Sequence, residues 1–168
     1  MLTELLQKKH NRINFDCGKE LLNNYLKNQA RQDQIRNLAS CFVLLNDDNI
    51  LIKGYYTLSN TSIPLETLPN NLKDKLPLSY KNIPTTLMGR FAINQQYQGQ
   101  GIGKILLIDA LKRCYNQSNI IGSFGVVVVD PIDKDAECFY SHYNFIKLPD
   151  SGKMFISMKT LDILFKES

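Results

Sequence analysis

The chain has 168 residues, 43% hydrophobic and 21% charged, with 20 Lys and Arg against 16 Asp and Glu for a net charge of +4. That is the composition of an ordinary globular protein, and the length suits one domain, expected over residues 1–168. No stretch reaches the ~18 unbroken apolar residues of a membrane helix and the start shows no leader pattern, so a cytoplasmic protein without a membrane partner is expected.

Four widely spaced cysteines (Cys17, Cys41, Cys114, Cys138), none in a C-x-x-C pair, and only two histidines argue against a zinc site. No metal is expected, and the thiols are read as reduced and mostly buried. The mild positive charge permits an RNA or acidic partner without proving either.

In chain order, "FDCGKELLNNYLKNQARQDQIRN" reads as a helix capped at Asp16 or Cys17, with Glu20 in its first turn. Leu21, Leu22, Tyr25, Leu26 and Ala30 make its apolar stripe, and Lys27, Arg31 and Arg36 its basic face. "CFVLL" and "ILIKGYYTLSNTSI", separated by "NDDN", predict a hairpin with a four-residue turn. Residues 64–84 contain four prolines and no sustained period, and read as an irregular basic excursion with one short helical turn.

"TTLMGRFAI" is the next strand, and "GIGKILLIDALKRCYNQS" a helix with Ile105, Leu106, Ile108, Ala110 and Leu111 partly inward. "SFGVVVVD" suits a strand covered on both faces. "DKDAECFYSHYNF" is a helix opened near Asp133, and "KMFISMKTL" a closing strand. Helix, hairpin, strand, helix, strand, helix, strand is an α/β layered domain.

"QQYQGQGIGKILL" carries three glycines at alternate positions between the strand ending at Ile93 and the following helix. A P-loop fails, because Gln98 stands where its first glycine belongs and Ile105 where Ser or Thr follows the lysine. The dinucleotide fingerprint G-x-G-x-x-G fails in both registers, with Lys104 or Leu106 at its third glycine. Q-x-x-G-x-G fits, at Gln98, Gly101 and Gly103; Gln96, Gly99 and Gly101 also satisfy it. The later register is preferred because the apolar helical pattern begins directly after Gly103. Backbone N–H groups at a helix start, free of Cβ atoms, cradle an anion, and Lys104 adds charge at the rim.

These residues resemble the GNAT-fold N-acetyltransferases, whose motif at this place binds the acetyl-CoA pyrophosphate. "GRFAI…QGQGIGKILLIDALKRC" is similar to that family's fourth strand, phosphate loop and helix. "VVVVDPIDKDAECFYSHYNF" is similar to its fifth strand and next helix, with A-x-x-F-Y-x-x-x-x-F at Ala136, Phe139, Tyr140 and Phe145. Asn144 stands where the family often has Gly; Asn accepts similar backbone angles. "FDCGKELLNNYLKNQARQD" and "GYYTLSNTSI" narrow the resemblance to the GNAT toxins of bacterial toxin–antitoxin modules, which acetylate the amino group of aminoacyl-tRNA and block translation.

The resemblance implies a GNAT fold, a mixed and mostly antiparallel sheet splayed between strands four and five and flanked by helices. It also implies acetyl-CoA as co-substrate, with backbone bonds to its pantetheine arm from Phe91, Ala92 and Ile93. The diphosphate falls to Gln98, Gly99, Gln100, Gly101, Ile102, Gly103 and Lys104, and the general acid is Tyr140. An aminoacyl-tRNA substrate, a small ribbon-helix-helix-type antitoxin and a homodimer complete the expectation.

The base is informative by residue type. "TTLMGR" has no carboxylate, although Asp130 or Glu66 remain open through the fold. Near pH 7.5 a lysine amine is only about 0.1% neutral, whereas an α-amine is about a third neutral, so lack of a base favours an α-amine acceptor. His10 and His142 are read as surface residues, and Cys138 as packing. Arg90, Lys27 and Arg31 are RNA candidates, alongside Arg36, Lys73, Lys75 and Lys81. Acetylation of a small amine, antibiotic or protein amine is the alternative activity, and a CoA-binding module without catalysis the alternative class.

Overall fold

The chain opens with a strand too short to leave a sequence pattern. In the computed structural model, which describes residues 1–129, 131, 133–149 and 151–166, β1 (Glu4–Leu5) pairs antiparallel with Val43 and Phe42 of β2 (Ser40–Leu45). The amphipathic stretch that follows is helical at two pitches: α1 (Glu20–Asn24), a π-helical segment Tyr25–Gln29, and α2 (Ala30–Ile35). It starts later than expected, at an N-cap of Lys19, because Asp16 is engaged with the N–H of Gly18 and Nδ2 of Asn23 instead. Leu21 is 81% exposed rather than inward, lying past the core cluster that Leu22 and Tyr25 reach.

β2 and β3 (Ile52–Pro64) form the expected antiparallel hairpin, with Ser40 opposite Leu58 and Leu45 opposite Ile52. Its connection is longer than four residues, since Asn46 Oδ1 accepts from the N–H groups of both Ile50 and Leu51, and Asn49 takes a positive φ of 57°. The proline-rich stretch is better ordered than its composition suggests. A 3₁₀ turn (Leu65–Thr67) and α3 (Asn70–Lys73) carry Leu65, Leu68, Leu72 and Leu76 into a core with Ile63, Ile83, Val127, Leu148 and Phe155. Its last residues already belong to β4 (Asn82–Ile93).

α4 (Ile102–Ile121) buries Leu106, Leu107, Ala110, Leu111 and Cys114, whereas Ile105 and Ile108 are 40% and 41% exposed. β5 (Gly125–Val129) is buried at four successive positions, as a strand covered on both faces must be. It runs parallel to β4, Thr86 opposite Val126 and Leu87 opposite Val127, and antiparallel to β7 (Lys153–Ser157). α5 (Lys134–His142) and the edge strand β6 (Ile146–Lys147) stand between them in sequence. The closing strand stops at Ser157, whose hydroxyl accepts the N–H of Thr160 and caps α6 (Met158–Lys166), a helix the strand reading had absorbed.

The seven strands lie in the order β1-β2-β3-β4-β5-β7-β6, mixed and mostly antiparallel with flanking helices. The chain divides into two compact units, Met1–Ser59 with Met88–Arg113, and Asn60–Leu87 with Cys114–Ser168. The core of the first is Leu6, Phe15, Tyr25, Leu26, Val43, Ile52 and Tyr55 with their neighbours, the rings of Phe15 and Tyr55 meeting edge to face at 5.4 Å. The Tyr55 hydroxyl donates to the carbonyl of Leu22 at 2.8 Å, just ahead of the π-helical segment. Cys17, Cys41 and Cys114 are buried, whereas Cys138, expected to pack, is exposed.

Candidate active site

The glycine loop is shaped by polar side chains on both sides of it. After β4 ends at Ile93, the buried Asn94 donates its N–H to Lys53 O at 2.9 Å and accepts the N–H of Gln96, capping a 3₁₀ turn over Gln95–Tyr97. The Gln98 amide reaches back, donating to Ile93 O at 2.9 Å and to Cys17 O at 3.2 Å. Gln100 Nε2 donates to Gln96 O at 2.8 Å.

Gly99 and Gly101 both have positive φ, 72° and 78°, and a Cβ built on either would meet nothing within 4 Å. They serve backbone direction rather than packing, and the space before the loop is open. α4 starts at Ile102, so Gly103 and the exposed Lys104 lie in its first turn. The first N–H groups of a helix have no intrahelical acceptor and carry the positive end of its dipole, chemistry that suits an anion.

Phe91, Ala92 and Ile93 are consecutive in β4 beside this loop, Ala92 buried and its neighbours half-buried. Arg90, next along, stacks its guanidinium 3.6 Å from the ring centroid of Tyr25. The Tyr25 hydroxyl donates to the buried Asp33 at 3.0 Å. Burial, reinforced by Asp33, pushes the Tyr25 phenol above its ordinary pKa, while burial, opposed by Arg90 and Arg12, takes the neighbouring Cys41 thiol up to about 12. Arg31 donates to Leu6 O at 3.1 Å, and Lys27 lends its carbonyl to Arg12 at 3.3 Å. The guanidiniums of Arg90 and Arg31 are thus tied into the fold around the π-helical segment, whereas Lys27 contributes only its backbone.

Tyr140 belongs to the second unit and is positioned by the ends of α5. Asp133 caps the helix, its carboxylate accepting the N–H of Ala136 at 2.9 Å. At the other end the N–H groups of Phe145 and Asn144 return to the carbonyls of Tyr140 and Ser141, with Asn144 at φ 65°. That is a Schellman cap, and its usual apolar contact is made by the Tyr140 and Phe145 rings at 5.3 Å. The F-Y-x-x-x-N-F pattern therefore builds the cap and locks the tyrosine in one act. Tyr140 is buried, and burial raises its pKa, which keeps the hydroxyl protonated.

His142 is exposed, as read, but His10 is 3% exposed, accepts the Gln7 N–H on Nδ1 and sits with Nε2 2.9 Å from Glu4 Oε1. Burial, only partly offset by Glu4, lowers its pKa. Of the two carboxylates left open as bases, Glu66 is exposed and Asp130 lies outside the described residues. Among the described residues no cluster of His, Cys, Asp or Glu is arranged to hold a metal. Asn94 and Asn23, which support the loop, escaped the sequence reading, and Asp16 was read only as a helix cap; an Asn directly before a polar turn was the available signal for Asn94.

No family model matches the chain. The tRNA-acetylating toxin of Mycobacterium tuberculosis is 29% identical over 131 residues, 78% of this chain and 75% of that one. Among solved structures, a tyrosine-to-phenylalanine mutant of the AtaT toxin is 30% identical, covering 97% of this chain and 92% of the other with a TM-score of 0.84. AtaT complexed with acetyl-methionyl-tRNAfMet is 28% identical at 97% and 98% coverage and a TM-score of 0.87. The AtaT mutant bound to the C-terminus of the antitoxin AtaR and acetyl-CoA is 27% identical at 97% and 96% coverage and a TM-score of 0.80.

Proposed function

The chain belongs to the GNAT acetyltransferase toxins of toxin–antitoxin systems, and on that premise we propose that it acetylates the α-amino group of aminoacyl-tRNA and so blocks translation. The observation that carries this reading is the likeness, along 97% of the chain, to AtaT complexed with acetyl-methionyl-tRNAfMet. Acetyl-CoA, when bound, supplies an acyl group activated as a thioester. The open face before Gly99 and Gly101 fits its diphosphate, held by the backbone from Gln98 to Lys104, and Phe91, Ala92 and Ile93 offer backbone groups to its pantetheine arm.

Tyr140 acts as the general acid. As the amine nitrogen bonds to the acyl carbon and the carbon–sulfur bond breaks, the proton on Tyr140 Oη moves to the departing sulfur. The amine's own proton passes to solvent. No acidic residue occurs in β4 from Asn82 to Ile93, which suits an acceptor that is already substantially neutral near pH 7.5. Arg90, Lys27 and Arg31 are the basic residues this reading assigns to the RNA phosphates.

The protein works as one acetyltransferase domain, a homodimer restrained by a small ribbon-helix-helix-type antitoxin in the cytoplasm. An antitoxin partner is supported by the AtaT mutant bound to the C-terminus of the antitoxin AtaR, and among the described residues no helix is long and apolar enough to cross a membrane. Incubating the full chain with radiolabelled acetyl-CoA and a mixed charged-tRNA pool tests the activity. Label is expected on the tRNA and, after hydrolysis of the aminoacyl ester, in the released N-acetyl-amino acid. No such product, with turnover on a polyamine or a peptide amine instead, would overturn it.

A further inference from the structure

Two motifs that stand almost eighty residues apart in sequence meet in the first unit. The N–H of Gln95 donates to Asp16 O at 2.8 Å, and the Gln98 amide donates to Cys17 O at 3.2 Å. The turn that offers those carbonyls is itself clamped by Asn23 of α1. Asn23 Nδ2 donates to Asp16 Oδ1 at 2.8 Å, and Asn23 Oδ1 accepts the Cys17 N–H at 2.9 Å. The same Asp16 oxygen accepts the Gly18 N–H at 2.8 Å. Gly18 has φ 79°, and a Cβ there would come within 2.5 Å of Gln95 Nε2, so the turn and the loop are in close contact.

We propose that the Asp16–Gly18 turn is a support for the diphosphate loop, and that Asn23 and Gln98 are positioning residues for acetyl-CoA. This rests on the loop being the acetyl-CoA site. Gln98 Nε2 has two N–H donors and two carbonyl acceptors, Ile93 O and Cys17 O, so its amide holds the loop rather than the ligand. What the diphosphate meets is the backbone whose direction this amide sets. A backbone anion site depends on where its N–H groups point, and misplacement by about 1 Å can cost on the order of a hundredfold.

The test uses the full chain with coenzyme A as probe, affinity measured by calorimetry and acetylation kinetics alongside. Gln98→Glu sets a carboxylate against two carbonyls without a donor, and is expected to weaken coenzyme A binding by about tenfold to a hundredfold. Gln98→Arg restores N–H donors and is expected to bind more tightly than Gln98→Glu. Asn23→Ala, which frees the turn without touching the loop, is expected to raise KM for acetyl-CoA by about tenfold while kcat at saturation stays near wild type. The exposed neighbour Asn24→Ala controls for loss of helix stability.

Wild-type affinity in Gln98→Glu and Asn23→Ala overturns the proposal, and so does a fall in kcat with KM unchanged. If Gln98→Glu does not fold, Asn23→Ala decides by the same criterion. A wild-type chain that fails to bind coenzyme A overturns the cofactor reading and this proposal with it, whereas binding that the variants leave untouched overturns this proposal alone.

Discussion

Tyr140 is held by residues close to it in the chain. Its carbonyl closes the Schellman cap, its ring meets Phe145, and Asn144 supplies the left-handed residue the cap needs. The hydroxyl is removed with little change of volume by Tyr140→Phe, so the expected result is a selective loss of chemistry. A fall in kcat of about 10²- to 10⁴-fold is expected for loss of a general acid, with coenzyme A affinity retained. Steady-state acetylation kinetics and calorimetry on the same sample check both halves. Undiminished growth inhibition by the variant on expression would count against proton donation from this residue. At this scale the sequence was informative, because A-x-x-F-Y-x-x-x-N-F encodes both the cap and its aromatic contact. It was silent on His10, whose burial depends on Glu4 and on a strand of two residues.

Among the elements, α4 carries the loop at one end and a buried carboxylate further along. Asp109 accepts from Leu2 N–H, Thr3 Oγ1 and Tyr56 Oη, while Arg113 donates to Tyr56 Oη at 2.9 Å and stacks 4.0 Å from the Phe42 centroid. Burial by itself would raise the Asp109 pKa; the hydrogen bonds from Thr3, Leu2 and Tyr56, with Arg113, overcome it and hold it below the ordinary value. A folded pKa below the unfolded one means stability present above the unfolded pKa, near 4, and lost as pH falls through the folded value.

Asp109→Asn is therefore expected to cost about 3 kcal/mol at neutral pH, the scale for breaking a buried charged network. The difference from wild type should narrow in acid, as pH falls through the lowered pKa of Asp109 and both side chains become neutral. Urea unfolding at neutral and at acid pH measures this, and an equal cost at both would exclude a role for the charge. Helical periodicity predicted α4 but not which isoleucines face inward, nor the π-helical segment Tyr25–Gln29. The pitch change leaves the apolar spacing of "YLKNQ" unremarkable, so only packing around Tyr55 and Leu22 reveals it.

For the whole molecule, the reaction's pH dependence follows from which partner titrates. Burial raises the Tyr140 pKa above that of a free phenol, so its acid form is available through neutral and mildly alkaline pH. The acceptor amine must lose its proton, with a pKa of about 7.8 or lower for an α-amine. kcat/KM for aminoacyl-tRNA is then expected to rise through that pKa and to show no descending limb below about pH 9. A profile over pH 6–9, short enough in time to spare the ester, checks it; a descending limb in that range would require a different acid.

The residues alone determined the strand–glycine loop–helix unit, the hairpin and the buried fifth strand, because each rests on local periodicity, turn chemistry or the special freedom of glycine. The start of α6 was missed, because the strand reading of the apolar run at residues 154–156 was carried past Ser157, whose hydroxyl caps the helix. Tertiary structure decided the rest. β1 and β6 are two residues each and exist only by pairing, and the excursion's leucines acquire a role only from the core they enter. The F-D-C-G turn and the glycine loop became one assembly by folding, since backbone carbonyls carry no sequence signature and their partners are chosen by proximity in space.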